Sequence, residues 1–381
     1  MYILDIQKDN FYYTHDYLKL SFRISILLIL FYIPILLSCQ LANGYEHPHF
    51  SLIDYAQRQS YSEEEGRSIP LFENITASLS VDSTLLGTFY YPWYGHYSHW
   101  SDRDHNPPQT WASNFLPDIV KGEFKPKDEL YDSTNITIIK KHLELMSSAG
   151  IDFGIISWWG KGHYTDNATN KIFSSDITRL TYPGFKWTLL YEDEGFGDPS
   201  LDQIISDLDY IKTNYVSHPE YLRIDGKPVI FVYNAGNKGS DTIGDYERWK
   251  LAKEKTGFFV VLKVDPLANG ADPSGIDSWY QYVPSKRYDR QKDWSAMVSP
   301  GFWKYHENPR LERNLTDFEM AVQKLANANV QFKLIETFNE WGEGTGIEPA
   351  SIINHDDLNG FSYRDNSFGT QYLDIIGKYF K

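Results

Sequence analysis

Residues 138–159, IIKKHLELMSSAGIDFGIISWW, contain the pattern that determines the fold. In residues 138–149 apolar side chains recur every three or four positions, which predicts an amphipathic helix, and Gly150 is a typical helix terminator. Residues 151–159 form a nearly continuous apolar run, as expected of a strand buried on both faces of a parallel sheet. The segment therefore predicts a helix followed by a parallel strand.

Apolar runs of the same kind recur through the rest of the chain, separated by stretches that predict helices. The other predicted strands are residues 85–91, 185–191, 228–233, 258–264, 279–282, 295–299 and 332–338, and further helices are predicted at residues 201–214 and 317–328. Eight strands with helical connections between residues 85 and 381 fit a single (β/α)8 TIM barrel, whose usual length is about 250 residues. A doubly wound open sheet is the alternative, but residues 92–95, PWYG, are not the glycine-rich phosphate turn expected after its first strand.

The first 80 residues differ from this body. Residues 24–37 are mostly apolar and follow Lys19 and Arg23, which is typical of a secretory signal and short for a membrane span. Residues 1–44 are therefore predicted to be a signal peptide or membrane anchor, and residues 45–80, which are polar and aperiodic, a linker. The barrel domain then spans residues 81–381, and we expect the protein to be secreted or membrane-anchored.

Three fates of the N-terminal segment are open. Cleavage could follow residues 42–44, residues 36–39 resemble a bacterial lipobox that would lipidate Cys39, or the segment could remain as an anchor. Asn-X-Ser/Thr sequences are potential glycan acceptors in an exported eukaryotic protein, and they occur at Asn74, Asn135, Asn167 and Asn314.

Charge and composition exclude several classes of function. The net charge of −15 disfavours nucleic acids and anionic membrane surfaces as partners. Cys39 is the only cysteine, which excludes a disulfide within the chain and a cysteine-based metal site. Aromatic residues are 16% of the chain, and Tyr and Trp side chains suit the apolar faces and hydroxyl rims of sugars. We therefore expect an oligosaccharide or polysaccharide as the partner of a chain that acts as a monomer.

In a (β/α)8 barrel the active site lies at the C-terminal ends of the strands. Nearly every predicted strand end carries a Trp or Tyr, and two ends carry carboxylate pairs, at residues 192–194 and 340–343. The candidate substrate-binding residues at these ends are Tyr91, Trp93, Tyr94, Trp158, Glu192, Tyr233, Tyr282 and Trp341. Spaced histidines and a phosphate-binding turn are absent from the ends, so no metal or cofactor is expected. Aromatic side chains with carboxylates are typical of glycoside hydrolysis.

Glu340 and Glu343 are the candidate catalytic pair. They are three residues apart, so one turn can bring both carboxyl groups to the same side. Two half-buried carboxylates close together cannot ionise equally, and the group that keeps its proton can act as an acid. A solvated surface loop is the alternative, but the apolar strand leading directly into Trp341 disfavours it.

Residues 338–345, FNEWGEGT, followed by Ile347-Glu348, resemble the signature of glycoside hydrolase family 99, the endo-α-1,2-mannosidases and endomannanases. Residues 89–95, FYYPWYG, are similar to the opening motif of that family, and matching strand ends at residues 157–158, Glu192 and Tyr233 extend the likeness to about residue 350.

The resemblance implies an endo-acting hydrolase that cleaves α-linked glycans, with α-mannosidic glycans as the first candidates, and retains the configuration. Glu340 would deprotonate the sugar 2-hydroxyl, which attacks C1 to form a 1,2-anhydro sugar. Glu343 would protonate the leaving oxygen and later activate water. It also implies that Glu192 contacts the substrate near that hydroxyl and that Trp93 and Tyr94 help to build the sugar platform.

Several positions depart from the family pattern. One is Gly342, because the family commonly has a bulkier residue, often histidine, at this position. The others are Pro92, Trp159, residues 192–194 and the loop at residues 98–127. Two other functions remain as alternatives. A glycan-assembly protein of a polysaccharide locus conflicts with export, because nucleotide-sugar donors are cytoplasmic, and a non-catalytic sugar-binding barrel would not need two acids three residues apart.

Overall fold

The computed structural model describes residues 84–95, 115–117, 131–233, 242–263, 275–304, 307–354, 362–363 and 368–381. The predicted signal or anchor segment with Cys39, the linker with Asn74, and most of the loop at residues 98–127 lie outside these ranges. Within the described ranges, no helix combines the length and apolar character needed to span a bilayer.

Eight parallel strands form the centre of the protein. They are β1 (Leu85–Tyr90), β3 (Phe153–Trp158), β4 (Lys186–Tyr191), β6 (Lys227–Val232), β7 (Phe259–Lys263), β8 (Ser278–Tyr280), β10 (Ser295–Val298) and β11 (Phe332–Ile335). Their order in the sheet is β8-β7-β6-β4-β3-β1-β11-β10, and the terminal strands β8 and β10 lie beside each other. The sheet is therefore nearly closed, which confirms the predicted (β/α)8 barrel and shows that the open-sheet alternative was wrong.

Short strands flank the barrel. β5 (Arg223–Ile224) pairs with β6, and β9 (Tyr288–Gln291) pairs with β10, both antiparallel. A separate three-stranded sheet contains β2 (Phe115–Pro117), β12 (Ala350–Asn354) and β13 (Ser362–Tyr363).

The described helices connect and surround the strands. They are α1 (Ile136–Ser148), α2 (Tyr164–Ser174), α3 (Ile177–Thr181), α4 (Asp193–Phe196), α5 (Leu201–Ile211, continued by a π-helix at Lys212–Val216), α6 (Thr242–Thr256), α7 (Leu315–Ala326) and α8 (Gln371–Phe380). Helix α1 begins where the Asn135 side chain accepts a hydrogen bond from the Thr137 N–H, and it buries Ile139, Leu143 and Met146 against the sheet. The predicted helix thus exists, with its start two residues earlier than expected.

Aromatic side chains fill the inside of the barrel. Phe231 packs against Phe153 at a ring-centroid distance of 6.2 Å, against Phe332 at 5.3 Å and against Phe89 at 6.5 Å. Gly87 on β1 makes room for a neighbouring ring, because a Cβ atom on it would lie 2.2 Å from the Phe153 ring. The barrel interior is therefore a packed core.

Candidate active site

The C-terminal ends of the parallel strands bring acidic and aromatic side chains to one edge of the barrel. Tyr91 follows β1, Glu192 follows β4, Tyr233 follows β6 and Glu336 follows β11. The loop from Glu336 to Glu348 then carries the predicted catalytic pair across the same edge.

Glu340 is held in one position by its own loop. Its side chain is 6% exposed, and its Oε1 accepts a hydrogen bond of 2.8 Å from the Gly342 N–H. The Glu340 N–H donates to Thr337 Oγ1 at 2.9 Å, and the Thr337 N–H donates to the Thr345 carbonyl at 3.0 Å, which closes the loop. Burial, and then the charge of Glu343, raise the pKa of Glu340 well above its usual range.

Glu343 lies beside it in a more open position. Its side chain is 26% exposed, and its Oε1 lies 3.3 Å from the Lys304 ammonium. Its Oε2 is buried without a hydrogen bond to any described residue. One oxygen of Glu343 therefore faces a cation, and the other is buried without a hydrogen bond to a described residue.

Glu192 is a third carboxyl group at the same edge. It is 3% exposed and accepts a hydrogen bond of 2.7 Å from Ser157 Oγ, which itself accepts one of 3.0 Å from Trp159 Nε1. Burial raises the pKa of Glu192 to about 8, because the hydrogen bond from Ser157 and the charge of Lys263 only partly stabilise the carboxylate.

The raised pKa of Glu192 predicts a pH-dependent loss of stability. The folded protein favours the protonated form, so this group costs no stability below about pH 4.5 and costs progressively more as the pH rises to about 8. Glu192→Gln removes the titration, so the free energy of unfolding should fall less between pH 5 and pH 8 than in the wild type. Urea unfolding at both pH values measures this difference, with Glu247→Gln on the surface of α6 as the control. An equal fall in Glu192→Gln and wild type would contradict the assignment.

Two charged residues of the site were missed by the sequence analysis. Glu336 is completely buried, and neither of its carboxylate oxygens has a hydrogen bond of ordinary geometry to a described residue. Burial, and then the charge of Glu343, raise its pKa well above the usual range, opposed by the Lys263 ammonium and the Val283 N–H. Lys263 lies 4.3 Å from the centre of the Tyr233 ring, and burial lowers its pKa to about 8. Both are charged residues at the end of an apolar strand, and that was the available signal.

The predicted aromatic residues divide into two groups. Trp93, Tyr233 and Tyr282 are partly exposed, and the Tyr91 hydroxyl donates to the Tyr282 hydroxyl at 3.0 Å. By contrast, the structure buries Tyr91, Tyr94, Trp158 and Trp341.

The buried aromatic residues hold the loop. The Tyr94 hydroxyl donates to the Asn339 carbonyl at 2.9 Å and accepts from the Trp341 N–H at 2.9 Å. Asn339 in turn accepts from the Tyr91 N–H at 2.8 Å. Trp158 Nε1 donates a hydrogen bond of 2.8 Å to Asp166, which is not one of the glutamates of the candidate site. These contacts favour a positioning role for Tyr94 and Trp341.

A buried polar network lies beneath the loop. The Tyr131 hydroxyl accepts from Trp341 Nε1 at 3.1 Å and donates to Glu348 Oε2 at 3.0 Å. His142 Nε2 lies 3.1 Å from Glu348 Oε1, and both of these side chains are fully buried. Glu348 is thus part of the support of the loop rather than of the cleft.

Among the described residues, one group of acids has the proximity that a metal site requires, namely Glu194, Asp198 and Asp245. The Arg248 guanidinium forms ion pairs with all three, at 3.0 Å to Glu194 and 2.6 Å to Asp198. The arginine already supplies the positive charge that a cation would bring, so this group is best described as an ion-pair network.

The chain is similar to known proteins. The family model described as "Glycosyl hydrolase family 99" matches residues 81–299, a range that ends before the loop from Glu336 to Glu348. A human "Glycoprotein endo-alpha-1,2-mannosidase-like protein" is 24% identical over 333 residues, covering 72% of this chain and 70% of its own length. A mouse "Glycoprotein endo-alpha-1,2-mannosidase" is 22% identical over 326 residues, covering 70% and 68%.

Solved structures support the same fold. The structure of the GH99 endo-alpha-mannosidase from Bacteroides thetaiotaomicron superposes with a TM-score of 0.59 at 20% identity, covering 78% of this chain and 97% of that one. A "Glycoside hydrolase-like protein" superposes with a TM-score of 0.53 at 17% identity, covering 83% and 98%.

Proposed function

This chain belongs to glycoside hydrolase family 99 and is a glycoside hydrolase, and we propose that it cleaves α-mannosidic glycans internally with retention of configuration. The observation that carries the proposal is the placement of Glu340 and Glu343 on one rigid loop at the barrel mouth. The names of the relatives support an α-mannosidic substrate and internal cleavage. The apolar segment at residues 24–37 supports export of the enzyme.

The two carboxyl groups differ in their surroundings, as a mechanism with one base and one acid requires. Glu340 is the more buried group, and the Gly342 N–H stabilises its carboxylate. Burial, and then the charge of Glu343, raise the pKa of Glu340, and a carboxylate of raised pKa takes up a proton more readily than an ordinary one. In the proposed mechanism Glu340 is therefore the base and Glu343 is the acid.

In the first step Glu340 takes the proton of the sugar 2-hydroxyl while O2 attacks C1. The bond from C1 to the leaving oxygen breaks, and Glu343 gives its proton to that oxygen, so that a 1,2-anhydro sugar forms. In the second step Glu343 takes a proton from water as the water oxygen attacks C1. The C1–O2 bond breaks, and O2 recovers the proton from Glu340. Two inversions at C1 leave the configuration unchanged.

A substrate panel tests the proposal. The protein is incubated with α-mannans of different linkage, with β-mannan and α-glucan as controls, and products are followed by mass spectrometry and by proton NMR in the first minutes. We expect oligosaccharide products from α-mannan, with the α-anomer formed first. Release of the β-anomer first would contradict retention, release of monosaccharide alone would contradict internal cleavage, and activity on the controls alone would overturn the α-mannosidic substrate.

A further inference from the structure

An exposed aromatic ring lies at the rim of the cleft. Phe196, at the end of α4, follows Glu192 by four residues and is 59% exposed. Its ring stacks on Tyr233 with a centroid distance of 6.0 Å and an angle of 14° between the ring planes. On its other side lies Trp159, at 4.8 Å and 36°. Phe196 therefore stands between two rings with much of its surface in water.

These rings continue to Glu192, the third carboxyl group of the candidate site, and to Tyr282. Trp159 packs on Trp93 at a ring-centroid distance of 6.3 Å. Its Nε1 donates a hydrogen bond to Ser157 Oγ, which donates one to Glu192. On the other side Tyr233 packs against Tyr282 at 5.9 Å. The exposed ring is thus the outer part of one aromatic surface that begins beside the acids.

The position of Phe196 is fixed by the rest of α4. Glu194 accepts a hydrogen bond of 2.8 Å from Trp249 Nε1 on α6 and forms an ion pair of 3.0 Å with Arg248. The ion-pair network at Glu194 therefore anchors the short helix to α6. A ring held in place before a ligand arrives loses little conformational entropy on binding.

Packing in the hydrophobic core does not explain the position of the Phe196 ring, which is 59% exposed. The other large hydrophobic side chains that are exposed among the described residues are aliphatic, namely Ile136, Leu180, Leu251 and Met320. An exposed ring that extends an aromatic cleft is instead typical of a binding surface, because the C–H face of a pyranose covers apolar area while its hydroxyl groups stay in water.

We propose that Phe196, flanked by Trp159 and Tyr233, is a platform for a second pyranose ring of the glycan, next to the sugar held by Glu340 and Glu343. The inference rests on the proposed function for the identity of the substrate. It assigns to Phe196 a contribution to affinity that grows with the length of the glycan.

Binding is measured in a Glu343→Gln background, so that no turnover interferes. Native gels that contain α-mannan, β-mannan or α-glucan measure binding, because a protein that binds the polysaccharide is retained and migrates more slowly. The retention of the Glu343→Gln variant is compared with that of the same variant carrying Phe196→Ala, Phe196→Trp or Leu180→Ala. Leu180 is 71% exposed on α3 and serves as the matched control. We expect Phe196→Ala to weaken binding of the retained polysaccharide roughly tenfold, Phe196→Trp to restore it, and Leu180→Ala to leave it unchanged.

Oligosaccharides of two to five sugars give the second measurement. In the active protein, Phe196→Ala should raise KM more for the longer oligosaccharides and change kcat little. Equal affinity of Phe196→Ala and its parent, or a loss of the same size at every length, would overturn the platform. No retention of the parent on any of the three polysaccharides would overturn it as well. Failure of the wild type to cleave α-mannan, with length-dependent binding intact, would count against the proposed function alone.

Discussion

Glu343→Gln is expected to lower kcat on natural glycans by roughly 10²–10⁴-fold while leaving binding largely intact. A natural leaving group needs a proton, and the glutamine amide cannot supply one. The substitution nearly preserves the shape of the side chain, and an amide oxygen can still face the Lys304 ammonium, which lies 3.3 Å from Glu343 Oε1. Steady-state kinetics on the identified glycan measure the loss, and isothermal titration with the same glycan measures the affinity.

A substrate with an activated leaving group separates the acid role from general damage. An aryl glycoside or glycosyl fluoride needs little protonation, so Glu343→Gln should recover much of the first step on such a compound. Glu307→Gln, at an exposed ion pair with Arg310, is the matched control and should act as the wild type on both substrates. Equal and complete loss on both substrate types would remove Glu343 from the acid role.

Glu340→Gln should lower kcat to a similar extent but without recovery on activated substrates. The base is needed to take the proton of the 2-hydroxyl whatever the leaving group is. The glutamine oxygen can still accept the hydrogen bond from the Gly342 N–H, so the loop should keep its conformation. A 2-deoxy analogue of the substrate should bind and turn over very slowly in the wild type, because it lacks the internal nucleophile.

Covalent labelling distinguishes this route from a carboxylate nucleophile. In retaining enzymes that use a nucleophile, two opposed carboxyl groups stand about 5 Å apart across the sugar, and a 2-fluoro sugar traps the ester. Here both acids come from one short loop, with Glu340 enclosed by Thr337 and Gly342. We expect intact-mass measurement to show no adduct. A labelled peptide that contains Glu340 or Glu343 would falsify the anhydro-sugar route and leave the hydrolase assignment standing.

The sequence predicted the strands better than the helices. Strands buried on both faces appear as continuous apolar runs, so all eight barrel strands were found, although the predicted run at residues 332–338 extends three residues beyond β11. Helix α6 was not predicted, because its charged residues are distributed without a clear apolar stripe. The end of α5 as a π-helix is a detail of hydrogen bonding that spacing alone does not encode.

The site was predicted in part. A motif marks Glu340 and Glu343, whose catalytic role stays a prediction, whereas Lys263 and Glu336 lie in apolar runs and were counted as strand residues. Sequence also does not show which way a side chain points. Tyr94 and Trp341 were expected to bind sugar, but the structure buries them among hydrogen bonds that hold the loop.

The phenylalanines inside the barrel also decide how a polymer can reach the acids. Phe89, Phe153, Phe231 and Phe332 fill the axis, so a polysaccharide cannot thread through the protein. A glycan can therefore reach the acids only from the mouth. In the proposed internal cleavage the chain lies across the mouth, so binding requires no free chain end and each half can leave sideways. The proposal thus predicts that glycans whose ends are attached to a cell wall or a solid support are also cleaved.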